Sequence, residues 1–124
     1  MSPWLAVALG GALGALGRYG ANGLLFSLAA GRFPLGTLVV NVSGSIAMGV
    51  LYVLIIEKGI LPAEWRNLLM VGFLGAFTTF SAFSLDALAL WQNGHLLLAL
   101  AYVFGSLILC LGGIALAIFI TRLI

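Results

Sequence analysis

Long apolar segments with almost no charged residues dominate this sequence. Only 6% of its 124 residues are charged and 64% are hydrophobic, whereas a soluble domain carries roughly 25% charged residues. A helix that crosses a bilayer needs about 20 mostly apolar residues, and the charges divide the chain into segments of that length. The sequence therefore predicts an all-α membrane protein, one domain over residues 1–124 with four spans near residues 3–30, 34–56, 66–92 and 96–121.

The residues outside these spans exclude several classes of function. The loops are too short for a soluble domain, and no nucleophile, base and orienting acid occur at one depth, so we expect no enzyme. The lone His95 lies in a predicted turn. The single cysteine, Cys110, cannot form an intrachain disulfide or a thiolate metal site, so a packing role is expected. A net charge of +2 from scattered residues predicts no nucleic-acid partner.

Basic residues are nearly balanced between the two sides of the predicted membrane protein. With four spans, one side carries Lys58, Arg66 and Arg122. The other side carries Arg32, joined by Arg18 if that side chain reaches the surface. Because the bias in Lys and Arg sets orientation, so weak a bias predicts insertion in both directions. We expect an antiparallel homodimer of dual topology, since four helices are too few to enclose a polar path comfortably.

Polar side chains within the spans are mostly uncharged. They are Arg18, Asn22, Asn41, Ser43, Thr78, Thr79, Ser81, Ser84, Tyr102 and Ser106. Polar groups are costly in hydrocarbon, so each is a functional candidate. No carboxylate lies in the middle of a span, and Asp86 comes late in the third. Amide donors and the electropositive edges of aromatic rings suit an anion. Phe80 and Phe83 are three residues apart and share a helix face, which core packing would also explain.

The segment GFLGAFTTFSAFSLD, residues 72–86, allows two conformations. Gly72 and Gly75 lower helix propensity, and the hydroxyls of Thr78 and Thr79 can bond to the backbone. The span could be a continuous helix, with each hydroxyl bonded to the preceding turn, or a helix broken near its middle. Unwound backbone at membrane depth is tolerated only inside protein or beside a wet cavity. Carbonyls freed there commonly coordinate a small cation.

Three motifs carry a resemblance to the Fluc (CrcB) family of fluoride channels, and the resemblance covers essentially the whole chain. They are GGALGALGRYG (10–20), GTLVVNVSGS (36–45) and GFLGAFTTFSAFS (72–84). The resemblance implies an antiparallel, dual-topology homodimer in the bilayer of a cell membrane, expected to be a bacterial inner membrane. Through two narrow pores, fluoride would leave the cytoplasm passively down its electrochemical gradient, which relieves fluoride toxicity.

The resemblance also assigns roles to single residues. Phe80 and Phe83 would present ring edges to fluoride. Asn41 would be the amide donor of the pore, with Ser81 and Tyr102 as further polar contacts.

A structural sodium ion is implied as well, on the dimer axis, bound by the backbone carbonyls of Gly75 and Thr78 from both subunits. Arg18 matches the arginine of the first motif, which implies a structural or vestibular role. The chain departs from the family at Ala82, where threonine is frequent, and along the face Ser106, Cys110 and Ile114, where only the first residue carries a hydroxyl.

Two other functions are weighed against the channel. A small multidrug-type exporter of dual topology is the alternative, but the middle of the first span lacks the carboxylate that such an exporter needs for proton exchange. A membrane scaffold that packs through its glycines would leave the polar residues of the third span unexplained.

Overall fold

The computed structural model describes residues 1–28 and 33–124, which form helices and no strand. Arg32, which the topology prediction used, lies outside the described residues. The helices are α1 (Pro3–Leu28), α2 (Leu35–Leu51, continuing as the π-helical Tyr52–Glu57), α3 (residues 66–77, π-helical over Arg66–Leu74 and α-helical over Gly75–Phe77), α4 (Phe80–Gln92) and α5 (Leu96–Leu123). Gly94, with φ of 81°, forms the predicted turn between α4 and α5.

Length and hydropathy identify membrane-spanning candidates among these helices. Within the described parts of the chain, three segments are long and apolar enough to cross a bilayer: Leu35–Glu57, Arg66–Gln92 and Leu96–Leu123. They match the second, third and fourth predicted spans. Helix α1 has 26 residues, and at 1.5 Å per residue it reaches further than the hydrocarbon core of about 30 Å. Arg18, Asn22 and the glycines of α1 make it less apolar than the others.

Helix α1 packs against α3 at very short distance because glycines line the contact. A methyl group on Gly10 would collide with the carbonyl oxygen of Leu68, and one on Gly14 with the carbonyl of Phe73. On the facing helix, a methyl group on Gly72 would come within 2.9 Å of the Val7 carbonyl oxygen. Gly10 and Gly14 are four residues apart, a spacing of small residues that allows close helix approach in lipid. The glycine stripe of the first motif therefore holds α3 in place within one chain.

Replacing Gly14 with alanine should destabilise the protein. The added methyl group strains the backbone contact at a typical cost of about 1–3 kcal/mol, which exceeds the gain of up to about 1 kcal/mol in helix propensity. Gly20 is the matched control, since nothing lies within 4 Å of its added methyl group. The thermal unfolding midpoint in detergent should fall for Gly14→Ala and not for Gly20→Ala. Equal midpoints would show that the contact is not needed for stability.

Helices α2 and α5 also pack against each other and are tied together at one end. Arg122 donates to both carboxylate oxygens of Glu57, with 2.9 Å from Nε to Oε2. Lys58 Nζ donates to the carbonyl oxygen of Thr121 at 3.3 Å. Because the Arg122 side chain is largely exposed, solvent screens the ion pair, which therefore contributes little to stability. Its clearer consequence is topological, since Lys58 and Arg122 lie at the same end of the molecule, as the charge analysis assumed.

The third span is broken, and the break lies at Thr78 and Thr79. Thr78 has φ −86° and ψ 154°, and Thr79 has φ −151° and ψ 118°. Both are extended, so of the two conformations that the sequence allowed, the interrupted helix is confirmed. Gly75, with φ −60° and ψ −35°, keeps helical geometry. The interruption therefore starts at Thr78, three residues after Gly75.

Candidate functional site

The side chain of Asn41 on α2 holds the break open. Its Nδ2 donates to the carbonyl oxygen of Thr79 at 3.0 Å, and its Oδ1 accepts from the Thr79 N–H at 2.7 Å. One amide thus pairs both backbone groups of an extended residue, which unwound backbone requires at membrane depth. The sequence predicted that Asn41 is an amide donor to an anion, and its side chain has two N–H groups. One of them is committed to Thr79, which leaves the second for the cavity that Asn41 lines.

The break diverts two backbone donors from their normal helical acceptors. In a continuous helix, the N–H of Thr79 would bond to the carbonyl of Gly75, and that of Ala82 to the carbonyl of Thr78. Here the first donates to Asn41, and the second donates to Thr79 Oγ1 at 3.2 Å. The carbonyls of Gly75 and Thr78 therefore lose these donors. They are the two carbonyls that the resemblance assigns to a cation.

The backbone oxygen atoms at the break are candidate ligands for a cation. Among the described residues, no group of three His, Cys, Asp or Glu side chains could hold a metal ion. Backbone carbonyls are hard ligands, which suit a hard cation. Gly75 is exposed and Thr78 half-buried within one chain. The residues present therefore fit a small cation bound by backbone oxygens, provided that further ligands come from outside this chain.

Arg18 stabilises the end of α3. Its Nε donates to the carbonyl oxygen of Ala76 at 3.0 Å, in the last turn before the break. The C-terminal end of a helix carries partial negative charge and carbonyls without helical donors. The guanidinium of Arg18 supplies both a hydrogen-bond donor and a positive charge to that carbonyl. Arg18 therefore has a structural role, because it links the first motif to the third.

The N-terminus of α4 carries backbone N–H groups that can bind an anion. Thr79 caps it through the Ala82 N–H, which leaves the N–H groups of Phe80 and Ser81 in the first turn without acceptors in their own helix. A helix N-terminus of this kind favours anions. Ser81 Oγ lies 3.3 Å from Thr79 Oγ1. Ser81 is thus placed at this N-terminus, outside the residues that line the cavity described below.

The two phenylalanine rings form a pair. The centroids of Phe80 and Phe83 are 5.4 Å apart with the planes tilted by 48°. Phe83 also packs on Tyr102, at 5.2 Å and 42°, and Tyr102 is 1% exposed. Phe80 is 75% exposed within one chain. Within one chain, the ring of Phe80 is therefore packed only on the side that faces Phe83.

The hydroxyl of Tyr102 has a different partner from the one expected. It donates to Asp86 Oδ2 at 3.2 Å, and Tyr102 is absent from the cavity wall. Tyr102 therefore supports the ring of Phe83 from behind. Sequence reasoning noted Asp86 only as a late acid in the third span. The spacing within one helix could not reveal a partner 16 residues away on the next helix.

An open cavity of about 290 Å³ joins these features. Its walls come from α2, the break, α4 and α5, and the lining residues are Asn41, Gly44, Ser45, Met48, Thr78, Thr79, Phe80, Phe83, Ser106, Leu107, Cys110 and Ile114. Asn41, Thr78, Phe80 and Phe83 are the predicted site residues that it brings together. None of the lining residues is acidic. The cavity is also lined by Ser106, Cys110 and Ile114, the face of the fourth span on which the chain departs from the family.

Comparisons with known proteins agree on one family. The family model described as CrcB-like protein, Camphor Resistance (CrcB), matches residues 5–118. The chain is 52% identical over 119 residues to a Saccharophagus degradans protein named Fluoride-specific ion channel FluC, covering 96% of this chain and 89% of that protein. Proteins of the same name from Hahella chejuensis and Coxiella burnetii are 51% identical over 118 residues and 42% identical over 120 residues. Those two matches cover 95% of this chain, and 93% and 96% of the respective relatives.

Proposed function

Because the chain belongs to the CrcB family, we propose that it is a fluoride-selective ion channel rather than an enzyme. It lets fluoride leave the cytoplasm passively across the cell membrane, expected to be a bacterial inner membrane, and so relieves fluoride toxicity. The observation that carries this function is the match, over nearly the whole chain, to relatives named as fluoride-specific ion channels. The fold agrees, because the described part of the chain supplies three apolar segments of spanning length. In this proposal, α1 is the fourth span.

The chemistry of the cavity suits fluoride. Fluoride is small and strongly hydrated, so a narrow path must replace its water with donors. The second N–H of Asn41 and the hydroxyl of Ser106 are uncharged donors on the cavity wall. Phe80 and Phe83 add ring edges with partial positive charge. Chloride is larger and would receive too few strong donors. A multidrug-type exporter is not favoured, because none of the described lining residues is a carboxylate that could exchange protons.

A second copy of the chain completes the path in this proposal. One copy leaves the ring of Phe80 largely exposed, beside an open cavity. An antiparallel partner would cover that ring and add its own, giving two symmetric pores per homodimer. Dual topology follows from the balanced Lys and Arg residues. Reporters fused to the C-terminus should be active on both sides of the membrane, and activity on one side only would contradict this arrangement.

A sodium ion on the axis of this homodimer is part of the proposal. Its ligands would be the carbonyls of Gly75 and Thr78 from both copies. The loss of their helical donors supports this assignment, and so does the exposure of Gly75 within one chain. When bound, sodium supplies positive charge beside the anion path and links the two broken helices. Within each chain, Asn41 and Arg18 keep the carbonyl ends of the break in position.

Efflux from liposomes tests the channel function. Vesicles that contain only this protein are loaded with potassium fluoride or potassium chloride and diluted into a solution free of both, and valinomycin is added. A fluoride electrode and a chloride electrode record the released anions. Fluoride should leave rapidly, while chloride should leave no faster than from protein-free vesicles. Absence of fluoride efflux would refute the channel.

Replacing sodium during purification should weaken the assembly. If the carbonyls of Gly75 and Thr78 hold sodium, protein prepared in N-methylglucamine should dissociate more readily, because uncompensated carbonyls then face one another across the dimer axis. Size-exclusion chromatography in detergent and fluoride efflux are the measurements, with sodium added back as the control. A dimer and a flux that are indifferent to sodium would rule out the cation site without affecting the channel function.

A further inference from the structure

A thiol lies on the wall of the cavity. Cys110 is half-buried on α5, one helical turn after Ser106, so both side chains share a face of that helix. It is the only cysteine of the chain and is free. The sequence predicted a packing role for it. Its position beside Asn41, Phe80 and Phe83 in the lining places it among the groups that contact the proposed ion path.

The neighbouring hydroxyl indicates that this part of the cavity holds a polar species. Ser106 is 5% exposed, and its Oγ has no hydrogen-bond partner among the described residues. A buried hydroxyl left unpaired costs about 1–3 kcal/mol, and such groups in native proteins normally have a protein, water or ligand partner. Ser106 lines the cavity, so a polar species there is the partner that the described residues do not supply. Cys110 therefore lies one helical turn from an unpaired donor, although apolar residues surround it on the helix.

We propose that Cys110 is a modification site on the ion path, at which a small, neutral, soft electrophile closes the channel. This inference rests on the proposed function, since closure is read as lost fluoride flux. The cavity of about 290 Å³ is roomy compared with the roughly 30 Å³ that one water occupies in the liquid. A reagent of a few heavy atoms can therefore reach the sulfur, and its adduct then fills part of the path with apolar atoms.

Methyl methanethiosulfonate is a suitable probe. The thiol of Cys110 gives its proton to water, and the thiolate attacks the sulfenyl sulfur of the reagent. A new S–S bond forms, the S–S bond of the reagent breaks, and methanesulfinate leaves with the electron pair. No oxidant is needed. The product is a methyl disulfide on Cys110, which replaces a weak S–H donor beside Ser106 with a methyl group.

The experiment uses the protein in liposomes, with fluoride efflux before and after the reagent. We expect the initial rate of fluoride efflux to fall about tenfold or more. The loss of one group that contacts fluoride would have an effect of similar size. Cys110→Ser should keep its rate in the reagent. Dithiothreitol should restore the rate of the native protein by removing the adduct. Because the chain has one cysteine, the mass of the intact protein reports the adduct directly.

A thiol at a second position shows whether formation of the adduct is by itself enough to slow fluoride efflux. In a Cys110→Ser background, Asn93→Cys puts a thiol in the exposed turn between α4 and α5, where the adduct should form without changing the rate. An adduct on Cys110 with unchanged efflux would overturn the inference, and so would a thiol that reacts only after denaturation. Failure of the proposed function is distinct, because fluoride would then not leave the vesicles before any reagent is added.

Discussion

Replacing Asn41 with leucine should abolish fluoride flux. Leucine has a similar volume but cannot pair the N–H and the carbonyl of Thr79, which Asn41 binds at 2.7 and 3.0 Å. Two unpaired backbone groups inside the protein cost about 1–3 kcal/mol each, enough to make the broken conformation about thirtyfold or more less populated. The donor that Asn41 offers to the cavity is lost as well. Fluoride efflux from liposomes is the measurement.

The matched control is Ser43→Ala, on the same helix. Ser43 is exposed, and its hydroxyl bonds back to the Val39 carbonyl of its own helix at 2.6 Å, so removing it should leave the flux intact. The unfolding midpoint of Asn41→Leu should also fall relative to the control. A flux within about twofold of the native rate, at equal protein content, would show that Asn41 is needed neither for the break nor for conduction.

Replacing Phe80 with isoleucine should abolish or greatly reduce flux and leave the dimer intact. Isoleucine keeps an apolar side chain on α4 but has no ring edge with partial positive charge. Phe80 lines the cavity, and its ring centroid is 5.4 Å from that of Phe83, so an anion in the cavity would meet both rings. We expect the rate to fall about tenfold or more, since one lost ligand of about 1.4 kcal/mol has that effect.

Phe119→Ile is the control for this substitution. Phe119 is 61% exposed on α5 and does not line the cavity, so the same chemical change there should have little effect on flux. Size-exclusion chromatography distinguishes a blocked dimer from a dissociated one. If Phe80→Ile conducts fluoride at the native rate, the ring edge of Phe80 is not needed for conduction. If the variant no longer forms a dimer, Phe80 is needed for assembly instead.

Three of the four predicted spans coincide with long apolar helices, because charge and hydropathy act locally. The sequence also predicted that the third span could be broken, since Gly72, Gly75 and the two threonines weaken one helix segment. It could not locate the break at Thr78 and Thr79. The group that fixes that position is Asn41, 38 residues earlier in the chain, and no spacing rule within one helix connects the two.

The candidate site was predictable in part for the same reason. Residue type marked Asn41, Phe80 and Phe83 as unusual at their depth, and the cavity brings them together. Residue type did not show that the hydroxyl of Tyr102 turns to Asp86 or that the hydroxyl of Ser106 is left without a partner. Both outcomes depend on how α4 and α5 rotate against each other. That rotation is set by packing across helices, which single-helix periodicity does not encode.

The pairing of Asn41 with Thr79 also bears on how the protein matures in a cell. By itself, the segment Arg66–Gln92 can form an uninterrupted helix. Every residue after its first turn has a backbone N–H that can donate to the carbonyl four residues earlier. The extended residues are favoured only once α2 has docked beside them. An immature copy whose second helix is misplaced would therefore lack a conducting path altogether, and would not leak ions. Unfinished copies of such a channel should be harmless to the electrical potential of their membrane.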